Sequence, residues 1–223
     1  MRMDIITLFP EMFEGPLARS IVGRARRRGI VEIAFTNPRE FAKDSHRTVD
    51  DRPYGGGPGM VLMAQPLFDA ISNLRTKGSA VVYLSPQGRR LTQPLARSLA
   101  VRGHLILLCG HYEGIDERIM KYVDLELSIG DYVLTGGELP AMVLADAVAR
   151  LVPGVLSPEA TDRESFSSGP VLDYPHYTRP RLWRKRPVPT DLLTGDPARV
   201  ETWRRAAALD ATRRKRPDLT RGE

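Results

Sequence analysis

Short apolar runs separated by amphipathic stretches set the rhythm of the first 150 residues. The segments at 3–9 (MDIITLF), 31–35 (VEIAF), 80–85 (AVVYLS), 104–110 (HLILLCG) and 124–130 (DLELSIG) are β-branched or leucine-rich and shorter than a stable helix, so they are predicted strands. Helix-length segments begin near Glu11, Pro66, Thr92 and Ile115, each with polar or proline punctuation at its start. This alternation predicts an α/β fold whose parallel sheet is covered on both faces.

Three stretches depart from the rhythm. Residues 37–60, NPREFAKDSHRTVDDRPYGGGPGM, have no clear period and end in a glycine cluster, as expected of a long functional or mobile loop. The segment from Leu139 to Val152 is apolar on almost every side, with Asp146 and Arg150 its only charges, four apart on one stripe. It predicts a helix buried all round, either in the core or against a second copy of the chain. From Pro153 to Pro189 the chain is rich in Pro, Ser, Gly and acidic residues, the composition of a linker. After it, DLLTGDPARVETWRRAAALDATRRKRPDL carries caps and helical spacing. The expected organisation is a ligand-binding body over 1–160, a linker over 161–178 and a basic helical domain over 179–223.

Charge sharpens that division. The 223 residues carry a formal net charge of +6, yet from Arg179 to Glu223 there are 13 Lys/Arg against 6 Asp/Glu, so the body is close to neutral. A basic tail on a neutral body is suited to a polyanion, and nucleic acid is the natural partner. The opening MRMDIITLFPEMF has only a short apolar run, interrupted by Asp4 and closed by Pro10 and Glu11, and reads as neither signal peptide nor anchor. With no long apolar span elsewhere, no membrane association is expected and the location is expected to be cytoplasmic. The single cysteine, Cys109, excludes an internal disulfide.

Common chemistries are absent from the motifs. There is no GxxxxGK phosphate loop, and GGGPGM lacks both the last glycine of GxGxxG and a preceding strand. His46, His104, His111 and His176 have no metal-ligand spacing, and no GxSxG elbow occurs. What remains is three loops, each following a predicted strand: YLSPQG from Tyr83, CGHYEGIDER from Cys109 and SIGDYVLTGGELP from Ser128. Ligands of open α/β sheets bind at that edge. Backbone and side chains of Tyr83, Leu84, Ser85, Pro86, Gly110, Tyr112, Glu113, Ile129, Gly130, Tyr132 and Leu134, with Gly136, Gly137 and Pro140 at the start of the next helix, are candidates to hold a flat heterocycle and a ribose.

These loops, together with HRTVDDRPYGGGPGM, PGVL and PHYTRP, resemble the bacterial tRNA (guanine-N1)-methyltransferase family, in order from Ile5 to Asp218. The resemblance implies a SPOUT-class sheet containing a deep trefoil knot, a homodimer, S-adenosylmethionine in the three loops and a magnesium requirement with no protein ligands assigned. It also implies methylation at N1 of the guanosine 3′ of the anticodon in tRNA. That chemistry needs a base for the N1 proton and a cation for the charge that spreads to O6. By resemblance the cation is Arg150. The family's base is an aspartate directly before Ser-Phe; here that position is Glu164, in TDRESF, and the segment from Arg150 to Ser165 is one residue shorter than the family form. Asp162 is the alternative base. Asp173, in a segment one residue longer than usual, matches a family aspartate near the substrate. His46, Arg47 and Asp50 match the long loop, and Arg179 and Arg181 begin the basic tail. A knotted methyltransferase acting on ribose or ribosomal RNA, and a non-catalytic RNA-binding module, are the competing readings.

Overall fold

The computed structural model describes residues 1–220, so the last three residues of the expected basic domain lie outside the described residues. The chain divides into two compact units, Met1–Leu156 and Ser157–Glu223. Among the described residues no helix is long and apolar enough to cross a membrane.

All five predicted strands form, and they assemble into one sheet. β1 (Arg2–Ile6), β2 (Glu32–Thr36), β5 (Ala80–Arg90), β6 (His104–Cys109) and β7 (Leu125–Ser128) lie in the order β2-β1-β6-β5-β7. Every pairing in it is parallel. A two-stranded antiparallel ladder of β3 (Asp50–Asp51) and β4 (Val61–Leu62) closes the long 37–60 insertion. The period of two along each strand sends alternate side chains to opposite faces. Met3, Ile5, Val82, Leu84, Leu105 and Leu107 pack on one face against α1 (Ser20–Arg27), α3 (Gln93–Ala100) and α4 (Glu138–Ala149). Ile6, Val81, Tyr83, Ile106 and Leu108 pack on the other against α2 (Ala64–Leu74). Both faces are thus covered, as the apolar runs require.

Two helix expectations change. The segment expected to be helical from Glu11 makes only a 3-10 turn, Pro10–Phe13, and α1 begins at Ser20. Gly15 followed by Pro16 explains this, because proline removes a donor and disfavours helical backbone in the residue before it. The segment from Ile115 likewise forms a 3-10 helix, Glu117–Tyr122, after Asp116 turns back to accept the Arg118 N–H. In the single chain α4 is buried on one side only, which leaves open the expected burial against a second copy. Ala141, Leu144, Ala145 and Val148 are fully buried, whereas Leu139 and Val143 stand 48% and 46% exposed in the single chain.

The second unit opens with α5 (Pro158–Asp162), which straddles the expected boundary between body and linker. A small hairpin of β8 (Leu182–Trp183) and β9 (Arg186–Pro187) follows, turning at Arg184 and Lys185, both of positive φ. Its main element is α6 (Pro197–Lys215), capped by Asp196, whose carboxylate accepts the Ala198 and Arg199 N–H groups. Thr212 is buried on this helix and its Oγ1 accepts the Leu172 N–H at 2.9 Å, pinning the upstream segment to α6.

Candidate functional site

Side chains and backbone from the interrupted middle of β5 and from the segments after β6 and β7 enclose one cleft. Hydroxyls shape two of its loops. Ser85 Oγ accepts the Gln87 N–H at 3.1 Å, and Ser128 Oγ accepts the Gly130 N–H at 3.1 Å while donating to the Gly130 carbonyl. The Ser128 turn follows β7 directly, whereas the Ser85 turn lies inside β5, where its pairing with β7 is interrupted between Leu84 and Arg89. The third loop is tied to the end of the long insertion: Glu113 N–H donates to the Met60 carbonyl and Leu62 N–H to that of Gly114.

The floor is formed where the chain from β7 returns over β6. Gly137 N–H donates to the Gly110 carbonyl at 2.8 Å, and His111 bridges to Gly136. A Cβ placed on Gly137 would lie 2.7 Å from Cys109 Cα and 2.9 Å from Gly110 N, so no larger residue fits without moving backbone. Beneath this floor Thr7 Oγ1 donates to Glu138 Oε1 at 2.8 Å, while His111 Nδ1 lies 3.9 Å from Glu138 Oε2. Burial, with a contribution from Glu138, raises the Cys109 thiol well above its ordinary value. Tyr83, on the wall, has its hydroxyl pushed up to about 12 by burial and then by the Glu126 and Glu117 carboxylates. Neither group is a nucleophile near neutral pH.

All fourteen residues read from the sequence as cofactor candidates line this cleft: Tyr83, Leu84, Ser85 and Pro86; Gly110, Tyr112 and Glu113; Ile129, Gly130, Tyr132, Leu134, Gly136, Gly137 and Pro140. Gln87, His111, Val133 and Thr135 line it as well, and sequence reasoning passed over them as cofactor candidates. Their positions between the named residues were the available signal. Arg150 is half-buried at the C-cap of α4, in the same unit. His46 and Arg47 sit in an exposed turn built on Asp44, whose Oδ2 accepts the His46 N–H, and they are not part of the cleft lining.

A second cavity lies within the second unit. Its walls include Asp162, Glu164 and Asp173, with Arg163, Arg204 and Arg205. The loop carrying the carboxylates is closed on itself: Phe166 N–H donates to the Val171 carbonyl, and Asp173 N–H donates to Ser165 Oγ at 2.9 Å. The two length differences noted in the sequence flank or fall within this loop, and it still brings Glu164 and Asp173 to one cavity. Arg204 and Arg205 were missed as site residues; the WRR step in α6 was their only sequence trace. Arg179 is exposed and does not line this cavity. Among the described residues no group of three His, Cys, Asp or Glu could hold a metal ion.

The fold and its cleft are those of an α/β methyltransferase of the SPOUT class. Comparison with known sequences is more specific: the chain belongs to the tRNA (guanine-1)-methyltransferase TrmD family, whose sequence profile matches residues 1–222. It is 54% identical to the tRNA (guanine-N(1)-)-methyltransferase of Moorella thermoacetica, over 98% of this chain and 90% of that protein. The enzymes of the same name from Dictyoglomus turgidum and Ruminiclostridium cellulolyticum are each 53% identical over 98% of this chain, with 89% and 96% of their own lengths covered.

Proposed function

We infer that this chain transfers a methyl group from S-adenosylmethionine to N1 of the guanosine immediately 3′ of the anticodon in tRNA. The observation that carries the reading is the convergence on one cleft of the interrupted middle of β5 and the loops after β6 and β7, in a chain of this family. The cleft suits the cofactor chemically. Its glycines leave backbone exposed for hydrogen bonds to an adenine, and Ile129 and Leu134 offer apolar walls to the ring. S-adenosylmethionine, when bound, supplies a methyl group already activated on a sulfonium.

The remaining work falls to side chains of the protein. Guanine N1 is protonated at neutral pH, so a carboxylate must take that proton, and Glu164 on the wall of the second cavity is the assigned base. As the proton leaves, negative charge spreads to O6, where the planar guanidinium of Arg150 stabilises the transition state more than the ground state. Asp173 contacts the target base. His46, Arg47, Arg179 and the basic helical segment bind the anticodon stem-loop through phosphates, an interaction expected to weaken with salt.

The active unit is a homodimer, and the apolar side chains left exposed on and before α4 support it: Leu139 and Val143, with Tyr132 and Val133. The enzyme works in the cytoplasm, where its tRNA substrate is found. The magnesium requirement that the resemblance implies finds no matching ligand cluster among the described residues, and no step is assigned to it.

Incubation with radiolabelled S-adenosylmethionine and tRNA transcripts bearing G or A after the anticodon tests the reading. Label confined to N1 of that guanine is expected. Label in both transcripts, or in neither, overturns it.

A further inference from the structure

Each oxygen of the Asp173 carboxylate has one partner in the chain, and its backbone is tied as well. Its own backbone N–H donates to Ser165 Oγ at 2.9 Å, Oδ1 accepts the Tyr174 N–H at 2.8 Å, and Oδ2 lies 2.8 Å from His176 Nε2. An ionised carboxylate only accepts hydrogen bonds, so Nε2 carries the proton and donates. The imidazole is in turn held: its ring packs on Tyr174 at 4.7 Å, and the Arg204 guanidinium covers the Tyr174 ring at 5.0 Å. A stack of cation, phenol and imidazole thus leads from α6 to a single carboxylate oxygen.

Stability is a poor explanation for this pair. The His176 side chain is 68% exposed, and exposed ion pairs contribute little to folding. Orientation is what the hydrogen bond supplies. Each carboxylate oxygen has a second lone pair, and with Oδ1 and Oδ2 each engaged once, the remaining pairs have set directions.

We propose that His176 is a positioning residue for tRNA methylation: its Nε2–H fixes the Asp173 carboxylate on the wall of the cavity it shares with Glu164, so that a remaining lone pair meets the exocyclic amino group of the target guanine and N1–H is left to Glu164. This rests on the methyltransferase reading above. The imidazole touches neither substrate nor cofactor and acts only through Asp173. Binding of S-adenosylmethionine depends on the other unit's cleft and is independent of it.

Two substitutions separate hydrogen bonding from packing. His176→Phe keeps a ring against Tyr174 and removes the donor; His176→Gln keeps an N–H at the reach of Nε2 and removes the ring. Methylation of a tRNA transcript is measured for both, for Asp173→Asn and for the double variant Asp173→Asn with His176→Phe, alongside thermal melting and the S-adenosylmethionine Kd. The expected result is a kcat loss of about tenfold for His176→Phe, in line with a lost hydrogen bond to a charged group. Cofactor Kd stays unchanged, His176→Gln stays within about threefold of the natural chain by the same measure, and His176→Phe adds nothing in the Asp173→Asn background. Full activity of His176→Phe, greater damage from His176→Gln than from His176→Phe, or multiplicative losses in the double variant would each overturn the proposal. A natural chain that fails to methylate the transcript sinks the methyltransferase reading itself, and the proposal with it.

Discussion

Thr7 Oγ1 and Glu138 Oε1 are joined by a 2.8 Å hydrogen bond that ties the segment after β1 to the first residue of α4, across 131 positions of sequence. Both residues are out of reach of water, at 1% and 2% exposure. Replacing Thr7 by Val keeps the shape and removes the hydroxyl, leaving a buried carboxylate oxygen and the Phe9 N–H each short of a partner. The expected loss is about 1–3 kcal/mol of folding stability, read from urea unfolding, with Thr7→Ser much milder.

Gly137 is the position where the cleft floor tolerates no side chain. Gly137→Ala puts a methyl 2.7 Å from Cys109 Cα, a contact that only backbone movement relieves. Overpacking of this kind typically destabilises by about 1–3 kcal/mol. Calorimetric titration with S-adenosylmethionine is expected to show weaker binding together with a lower Tm; an unchanged Kd would mean the floor is not part of the cofactor site.

The choice of base is decided by exchanging carboxylates for amides. Glu164→Gln is expected to retain S-adenosylmethionine binding and to lose about 10²- to 10⁴-fold in turnover, whereas Asp162→Asn leaves turnover largely intact. The reverse pattern transfers the role to Asp162. Arg150→Lys is expected to damage turnover as well, since a point charge does not reproduce a planar fork.

Tyr83 gives the stability a signature in alkali. Its hydroxyl is raised to about 12 in the fold, against about 10 in an unfolded chain. The contribution is complete below the unfolded value. Above it the unfolded chain releases the proton while the folded chain keeps it, so stability falls as pH rises toward the folded value. Denaturant unfolding between those pH values should show a decline of up to about 2 kcal/mol that Tyr83→Phe removes.

Much of the fold and of the cleft is legible in the sequence, for identifiable reasons. Strand-length apolar runs have few alternatives once they are buried on both faces, so β1, β2, β6, β7 and the first half of β5 follow from the pattern of apolar positions, whereas the continuation of β5 to Arg90 through SPQGRR does not. Serine and glycine marked the cleft because a hydroxyl closes the turns at Ser85 and Ser128 and Gly137 packs against the Cys109 backbone with no room for a side chain. Helix starts were harder. Glu11 looked like an N-terminal turn, but Gly15 and Pro16 ended it within four residues. The partial exposure of α4 was hidden because an all-apolar sequence does not say which of its sides faces a neighbour. The pairing of His176 with Asp173, three residues apart in irregular chain, has no periodicity to announce it.

The sheet order has a consequence for how the chain is made. β1 is an interior strand, bonded on one side to β2, which follows within about 30 residues, and on the other to β6, which begins at His104. On a ribosome adding about 5–20 residues per second, one edge of β1 stays open for several seconds after it emerges. Met3 and Ile5, fully enclosed in the finished sheet, spend that interval without β6, β5 or α4 over them. β1 is therefore among the strands that wait longest for a neighbour, and the nascent chain's vulnerability to aggregation is greatest there until β6 is made.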